Sequence, residues 1–121
     1  MYLFSGYFIQ NIEYMCCLQK DAEDIHCFHK ENYNCLKFKE QAGKIVSAEY
    51  CLKFGNPEGE SYLRLQSCDY HDPLFKLVTW SGDNLQIVDG DSVNVLKLLP
   101  DGLWLINRSL EKLRDRLQII V

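Results

Sequence analysis

Short strand-like segments separated by turn residues recur along this chain, and they constrain its fold more than any other feature. Tyr7-Phe-Ile-Gln, Lys44-Ile-Val-Ser, Tyr62-Leu-Arg-Leu-Gln, Phe75-Lys-Leu-Val-Thr-Trp, Asn84-Leu-Gln-Ile-Val and Leu103-Trp-Leu-Ile are all rich in apolar residues. Within them Arg64, Lys76 and Gln86 alternate with apolar neighbours, the period of a half-buried strand. The segments break at Gly55-Asn-Pro-Glu-Gly, Asp72-Pro, Ser81-Gly-Asp-Asn, Asp89-Gly-Asp and Pro100-Asp-Gly, combinations that favour turns. Strands at this spacing predict an all-β sandwich or barrel. One stretch differs. Leu110, Leu113 and Leu117 stand at helical spacing behind Ser109, a suitable N-cap, and predict a short helix near 109–116.

The segments also repeat. Leu18, Leu52 and Leu96 each follow a Cys or Val at the same place, in Cys17-Leu18, Cys51-Leu52 and Val95-Leu96. Leu63 and Leu65 match Leu103 and Leu105, which sets Cys68 against Arg108, with Asp24-Ile-His-Cys27 as the counterpart in the first third. Leu36-Lys-Phe38, Phe75-Lys-Leu77 and Leu117-Gln-Ile119 correspond, as do Tyr7-Phe-Ile9, Lys44-Ile-Val46 and Leu85-Gln-Ile87. Missing such repetition mis-assigns a fold. Four strands per unit and three units give twelve strands, with repeats at about 6–43, 44–83 and 84–121. That arrangement is a β-trefoil, a six-stranded barrel capped by three hairpins, whose closure removes most exposed edges. Its core would hold Phe8, Leu18, Leu36, Phe38, Ile45, Leu52, Leu63, Leu65, Phe75, Leu77, Leu85 or Ile87, Leu96, Leu103, Leu105, Leu117 and Ile119.

Composition narrows the function. A chain of 121 residues predicts one domain, residues 1–121. Thirteen basic against seventeen acidic residues give a net charge of −4, without the basic footprint of general nucleic-acid binding. No apolar run approaches the ~20 residues that span a bilayer. The stretch beginning Met1-Tyr-Leu-Phe-Ser-Gly carries no early Lys or Arg and is broken by Ser5 and Gly6, so no secretory signal is visible in it. The six Cys then have two readings: free thiols in the cytoplasm, or disulfides in an extracellular, oxidising compartment.

Gly6-Tyr-Phe-Ile-Gln-Asn11, Cys17-Leu, Gly43-Lys-Ile-Val, Cys51-Leu and Leu63-Arg-Leu-Gln-Ser-Cys68-Asp together resemble ricin-type β-trefoil lectin domains. The nearest flavour is the cysteine-rich domain of the mannose receptor family. The resemblance covers the whole chain and is densest in its middle third. It implies a disulfide between Cys51 and Cys68 and, by analogy, one between Cys17 and Cys27. Cys16 and Cys35 have no role in the family, and the third repeat carries Val95 and Arg108 at the bridging positions. A Cys51–Cys68 loop would stabilise by about 3 kcal/mol in the loop-entropy model.

The sugar residues of the family are not kept. Galactose-binding members place an Asp where this chain has Gln19, Lys53 and Lys97, and an aromatic platform where it has Ile25, Gln66 and Ile106. Lys53, Arg64, Lys97 and Arg108 suit an anionic group such as a sulfate or carboxylate, and Trp104, expected to point outward between Leu103 and Leu105, suits a ligand or partner surface. The expectation is a non-catalytic module that recognises a glycan through degenerate sites, needing no cofactor and no metal. The alternative from another class is a protein-binding module, such as an inhibitor, immunity protein or receptor-binding subunit.

Other chemistry has weaker signals. His26, Cys27 and His29 form a small Cys/His cluster, with Cys16, Cys17 and Cys35 nearby, but in no known zinc-ligand spacing. Asp69-Tyr-His71-Asp72 reads more cheaply as a turn led by Asp72-Pro73 than as an acid–base pair. No nucleophile-elbow, P-loop or dinucleotide fingerprint is present. Asn107-Arg-Ser109 is an N-glycosylation triplet that matters only in a secreted chain.

Overall fold

A computed structural model of the chain describes residues 6–22, 24–28, 35–99, 104–107 and 117–120. Twelve strands run through them: β1 (Phe8–Asn11), β2 (Cys16–Asp21), β3 (Asp24–Phe28), β4 (Lys39–Gln41), β5 (Lys44–Ser47), β6 (Tyr50–Gly55), β7 (Tyr62–Ser67), β8 (Phe75–Ser81), β9 (Asn84–Asp89), β10 (Ser92–Leu98), β11 (Trp104–Asn107) and β12 (Leu117–Ile120). All the pairings are antiparallel and build one curled sheet, in the order β11-β10-β9-β8-β6-β7-β3-β2-β1-β12, with β4 and β5 joined at β6. Among the described residues the only helical element is a 3-10 turn at Pro57–Gly59. The helix expected near 109–116 lies outside the described residues. No described helix is long and apolar enough to cross a membrane.

The pairing recurs every four strands. β1–β12, β4–β5 and β8–β9 are one set, with Gln10↔Gln118, Lys39↔Val46 and Thr79↔Gln86 in register. β1–β2, β5–β6 and β9–β10 are a second, with Gln10↔Cys17, Val46↔Cys51 and Gln86↔Val95. β2–β3, β6–β7 and β10–β11 are a third, with Leu18↔Cys27, Leu52↔Leu65 and Leu96↔Ile106. Side chains of a strand alternate between faces, so each register pair fixes which residues share a face. Leu18, Leu52 and Leu96 stand at equivalent positions and are all buried.

Register also corrects several expectations. Tyr7 and Ile9 are the buried residues around β1, while Phe8 pairs with Ile120 and is half-buried. Val78, not Leu77, enters the core from β8, and Ile119 of β12 is exposed while Leu117 is buried. In β11 Trp104 is in register with Leu98 and Leu105 with Lys97, and Leu103 lies outside the described residues. The register shifts the third repeat by one residue: Ile106, not Leu105, is the counterpart of Leu65.

The same alternation decides the cysteines. All six are paired, as Cys16–Cys27, Cys17–Cys35 and Cys51–Cys68. The pairing of Cys17 with Cys27 does not form. Cys17 is in register with Phe28, so Cys27 lies on the opposite face of the β2–β3 hairpin. Cys16 shares the face of Leu18 and reaches Cys27 from within the core, where both are buried. Cys17 points out of that core and meets Cys35 beside the Gln19↔Cys35 bridge. In β6 the outward residue is Cys51, and its diagonal neighbour across β7 is Cys68. Three disulfides fit an oxidising, extracellular setting.

Tyr7 ties the strand sets together inside the core. Its backbone exchanges two hydrogen bonds with Phe38, at 2.8 and 2.7 Å. Its phenol donates to Glu40 Oε1 at 3.1 Å and accepts from Trp80 Nε1 at 3.3 Å, so one ring connects β1, β4 and β8. Burial, chiefly, pushes its pKa up to about 12, with the indole N–H of Trp80 opposing and Glu40 adding to the rise. Folding therefore keeps the phenol protonated where the unfolded chain loses the proton. Between pH 10 and about 12 the folded chain binds more protons, and stability falls as pH rises. Tyr7→Phe removes both hydrogen bonds and this titration. We predict that it lowers stability at pH 7 by about 1 kcal/mol. Denaturant titrations from pH 9 to 12 are expected to show a steeper loss in the natural chain than in the variant.

Candidate functional site

The β6–β7 hairpin and the segments beside it bring together most of the polar side chains available for a site. Cys51, Lys53, Arg64 and Gln66 share the face of this hairpin opposite Leu52, Phe54 and Leu63. Lys53 is directly opposite Arg64, so the structure does bring these two candidates together. Both are committed to holding the fold. Lys53 is buried, and its ammonium donates to the carbonyls of Ser67 at 2.9 Å and Tyr70 at 2.7 Å. A buried charge is tolerated when hydrogen bonds replace its hydration, and here they also pin the segment after β7. Burial pushes the Lys53 pKa below its ordinary value; the Asp72 carboxylate works the other way and Lys44 adds to the lowering. Arg64 Nε donates to Asp24 Oδ1 at 2.6 Å, at the one register point joining β3 to β7. Its guanidinium lies 4.5 Å from the Tyr62 ring centre and 5.4 Å from that of Phe75.

The remaining expected residues are elsewhere. Lys97 is exposed on β10, in the third hairpin. It stands at the position of Lys53 and Gln19, as the registers Gln19↔His26, Lys53↔Arg64 and Lys97↔Leu105 show. Trp104 is in β11, opposite Leu98, and Arg108 lies outside the described residues, as does His29. Cys27 is spent in a disulfide, and no described cluster of three His, Cys, Asp or Glu is arranged to hold a metal ion. Asp72 Oδ1 accepts from the Leu74 amide at 2.9 Å and its carbonyl accepts from Phe75 at 3.1 Å, the hydrogen bonds of a turn.

A cleft of about 430 Å³ opens beside the Cys51–Cys68 bridge. That is within the roughly 300–1,000 Å³ of small-molecule sites. Lys39, Gln41, Lys44 and Val46 form one wall, and the registers Lys39↔Val46 and Gln41↔Lys44 place all four on one face of the β4–β5 hairpin. Glu49, Cys68 and Asp69 form the other. Among the described residues neither lysine is ion-paired with either carboxylate. Two exposed rings follow the carboxylates in sequence, Tyr50 after Glu49 and Tyr70 after Asp69.

Sequence reasoning did not single out Lys39, Gln41, Lys44 or Glu49. The usable signal was the two-residue turn Ala42-Gly43, with φ of 53° and 78°, which sets Gln41 against Lys44 and Lys39 against Val46. The next turn is unusual. Ala48 and Glu49 join β5 to β6 with φ of 49° and 72°, in the left-handed region that favours glycine. Strain of this kind clusters at functional sites, and here it presents Glu49 to the cleft. Glu49→Gly relieves it and is expected to raise stability by about 1 kcal/mol, read as a higher denaturant midpoint at unchanged slope.

No family model matches the chain, and no curated protein matches it.

Proposed function

We propose that this chain is a β-trefoil of the ricin-type lectin-like kind, acting outside the cell as a non-catalytic module that recognises a glycan. The threefold recurrence of strand pairing, once every four strands, supports the trefoil, with β1, β4, β5, β8, β9 and β12 as barrel strands and three hairpins as the cap. The Cys51–Cys68 bridge stands where the resemblance implies one. The Cys16–Cys27 and Cys17–Cys35 bridges are this chain's own departures from that pattern. They tie down the first hairpin as a secreted binding module requires.

The observation that carries the reading is the cleft beside the Cys51–Cys68 bridge. It gathers ammonium, amide and carboxylate groups on a backbone pinned by a disulfide and two hairpins. Sugars are recognised by such convergent donors and acceptors, held in place before the ligand arrives. The expected galactose residues are absent, so the ligand is read from the groups present. A protein-binding module is the second reading. It is favoured by exposed Ile12, Met15 and Ile119, two of which border a cleft of about 400 Å³ with Trp80 and Leu117. A glycan array carrying neutral, sulfated and uronic-acid sugars separates the two. Retention of at least one sugar class is expected; retention of none overturns the lectin reading in favour of a protein partner.

A further inference from the structure

We infer that the cleft beside the Cys51–Cys68 bridge is a single site for a carboxylate-bearing sugar, with Lys39 and Lys44 taking the acid group and Glu49 and Asp69 taking ring hydroxyls. The inference rests on the glycan-binding reading and moves anion recognition away from Lys53 and Arg64, whose charges are already satisfied within the fold.

The chemistry follows from how the two walls differ. The β4–β5 wall presents two ammonium groups and the Gln41 amide, all donors toward an anion. The opposite wall presents two carboxylates, which only accept. Two positive and two negative groups sum to zero, so a doubly charged phosphate ester gains from one wall what it loses to the other. A ligand with one negative charge at one end and hydroxyl donors at the other satisfies both walls. A hexuronic acid has that layout on one ring.

The recurring strand pairing explains why there is one site and not three. By register, Lys39, Gln41, Lys44 and Val46 correspond to Gln118, Ile120, Phe8 and Gln10 in one set and to Thr79, Ser81, Asn84 and Gln86 in the other. In the first set Phe8, Gln10 and Ile120 border an apolar hollow of about 280 Å³ against the Cys17–Cys35 bridge. There Gln118 and Gln10 hydrogen-bond each other at 2.7 Å. In the second, Gln86 Nε2 donates to Thr79 Oγ1 at 3.4 Å and no cation is present. Only the middle set carries the lysines.

The test is a titration of the full, oxidised chain with D-glucuronate, D-glucose and inorganic sulfate, followed by amide chemical shifts. Glucuronate is expected to bind one to one and to shift amides of residues 39–49 and 68–69. D-glucose is expected to bind at least about tenfold more weakly, as is each of Lys39→Gln and Lys44→Gln toward glucuronate. Asp69→Asn weakens glucuronate by weakening a hydroxyl acceptor but strengthens sulfate by removing a repelling charge, and Lys76→Gln, on a different strand, changes neither. The inference is overturned by sulfate binding as tightly as glucuronate, by glucose doing so, or by shifts centred on Lys53 and Arg64. If glucuronate fails while the array retains a neutral sugar, this inference falls and the glycan-binding reading stands. If the array retains nothing, both fall.

Discussion

Two adjacent cysteines on one strand must point in opposite directions, and the first third of this molecule is arranged around that requirement. Cys16 turns into the core and is bonded to Cys27; Cys17 turns out and is bonded to Cys35. The outer bond draws the chain after the β2–β3 hairpin back against β2, where Leu36 donates to the Leu18 carbonyl at 2.9 Å. From there Phe38 reaches Tyr7, and Tyr7 reaches Glu40 and Trp80. A local rule of strand geometry thus fixes the path by which distant strands meet.

Recurrent pairing provides the frame, and divergence at equivalent positions provides the chemistry. The inward positions stay apolar because each must fill the same kind of space, as Leu18, Leu52 and Leu96 do. The outward positions carry no such demand. Gln19, Lys53 and Lys97 are equivalent by register, yet Gln19 and Lys53 are buried and Lys97 is exposed. Two of the polar groups serve the fold: buried Lys53 holds the segment after β7, and half-buried Arg64 links β3 to β7 through Asp24. Among the described residues Lys39, Lys44, Glu49 and Asp69, which line the cleft, enter no ion pair.

Each strand-like segment recognised from turns and alternation lies on or beside a strand, because Gly, Pro, Asn and Asp mark chain reversals by their own backbone preferences. Parity was not legible. Phe8-Ile9, Leu103-Trp-Leu-Ile106 and Ile119-Ile120 place apolar residues side by side, and either alternation satisfies such a run. The core therefore admitted Phe8 on paper, and the structure chose Ile9; Ile119 shares the parity of buried Leu117 and is nonetheless exposed. The analogy with Cys51–Cys68 misassigned Cys27, which stands in register with Leu18 and so shares the face of Cys16. Lys53 reads as a surface residue by type, and only carbonyls from after β7 explain its burial. The cleft was invisible for a related reason: its walls come from a hairpin, a turn and the end of β7, which pairing brings together over a span of thirty residues.

The central claim is that strand alternation divides Cys16 and Cys17 between two faces and so dictates the disulfides. The most direct measurement uses Cys35→Ser, purified without reductant, alkylated under native and denaturing conditions and sequenced by tandem mass spectrometry. The account predicts a single labelled thiol on Cys17, with Cys16–Cys27 and Cys51–Cys68 intact and a stability loss of about 3 kcal/mol from the opened loop. A label on Cys16, with Cys17 joined to Cys27, would contradict it.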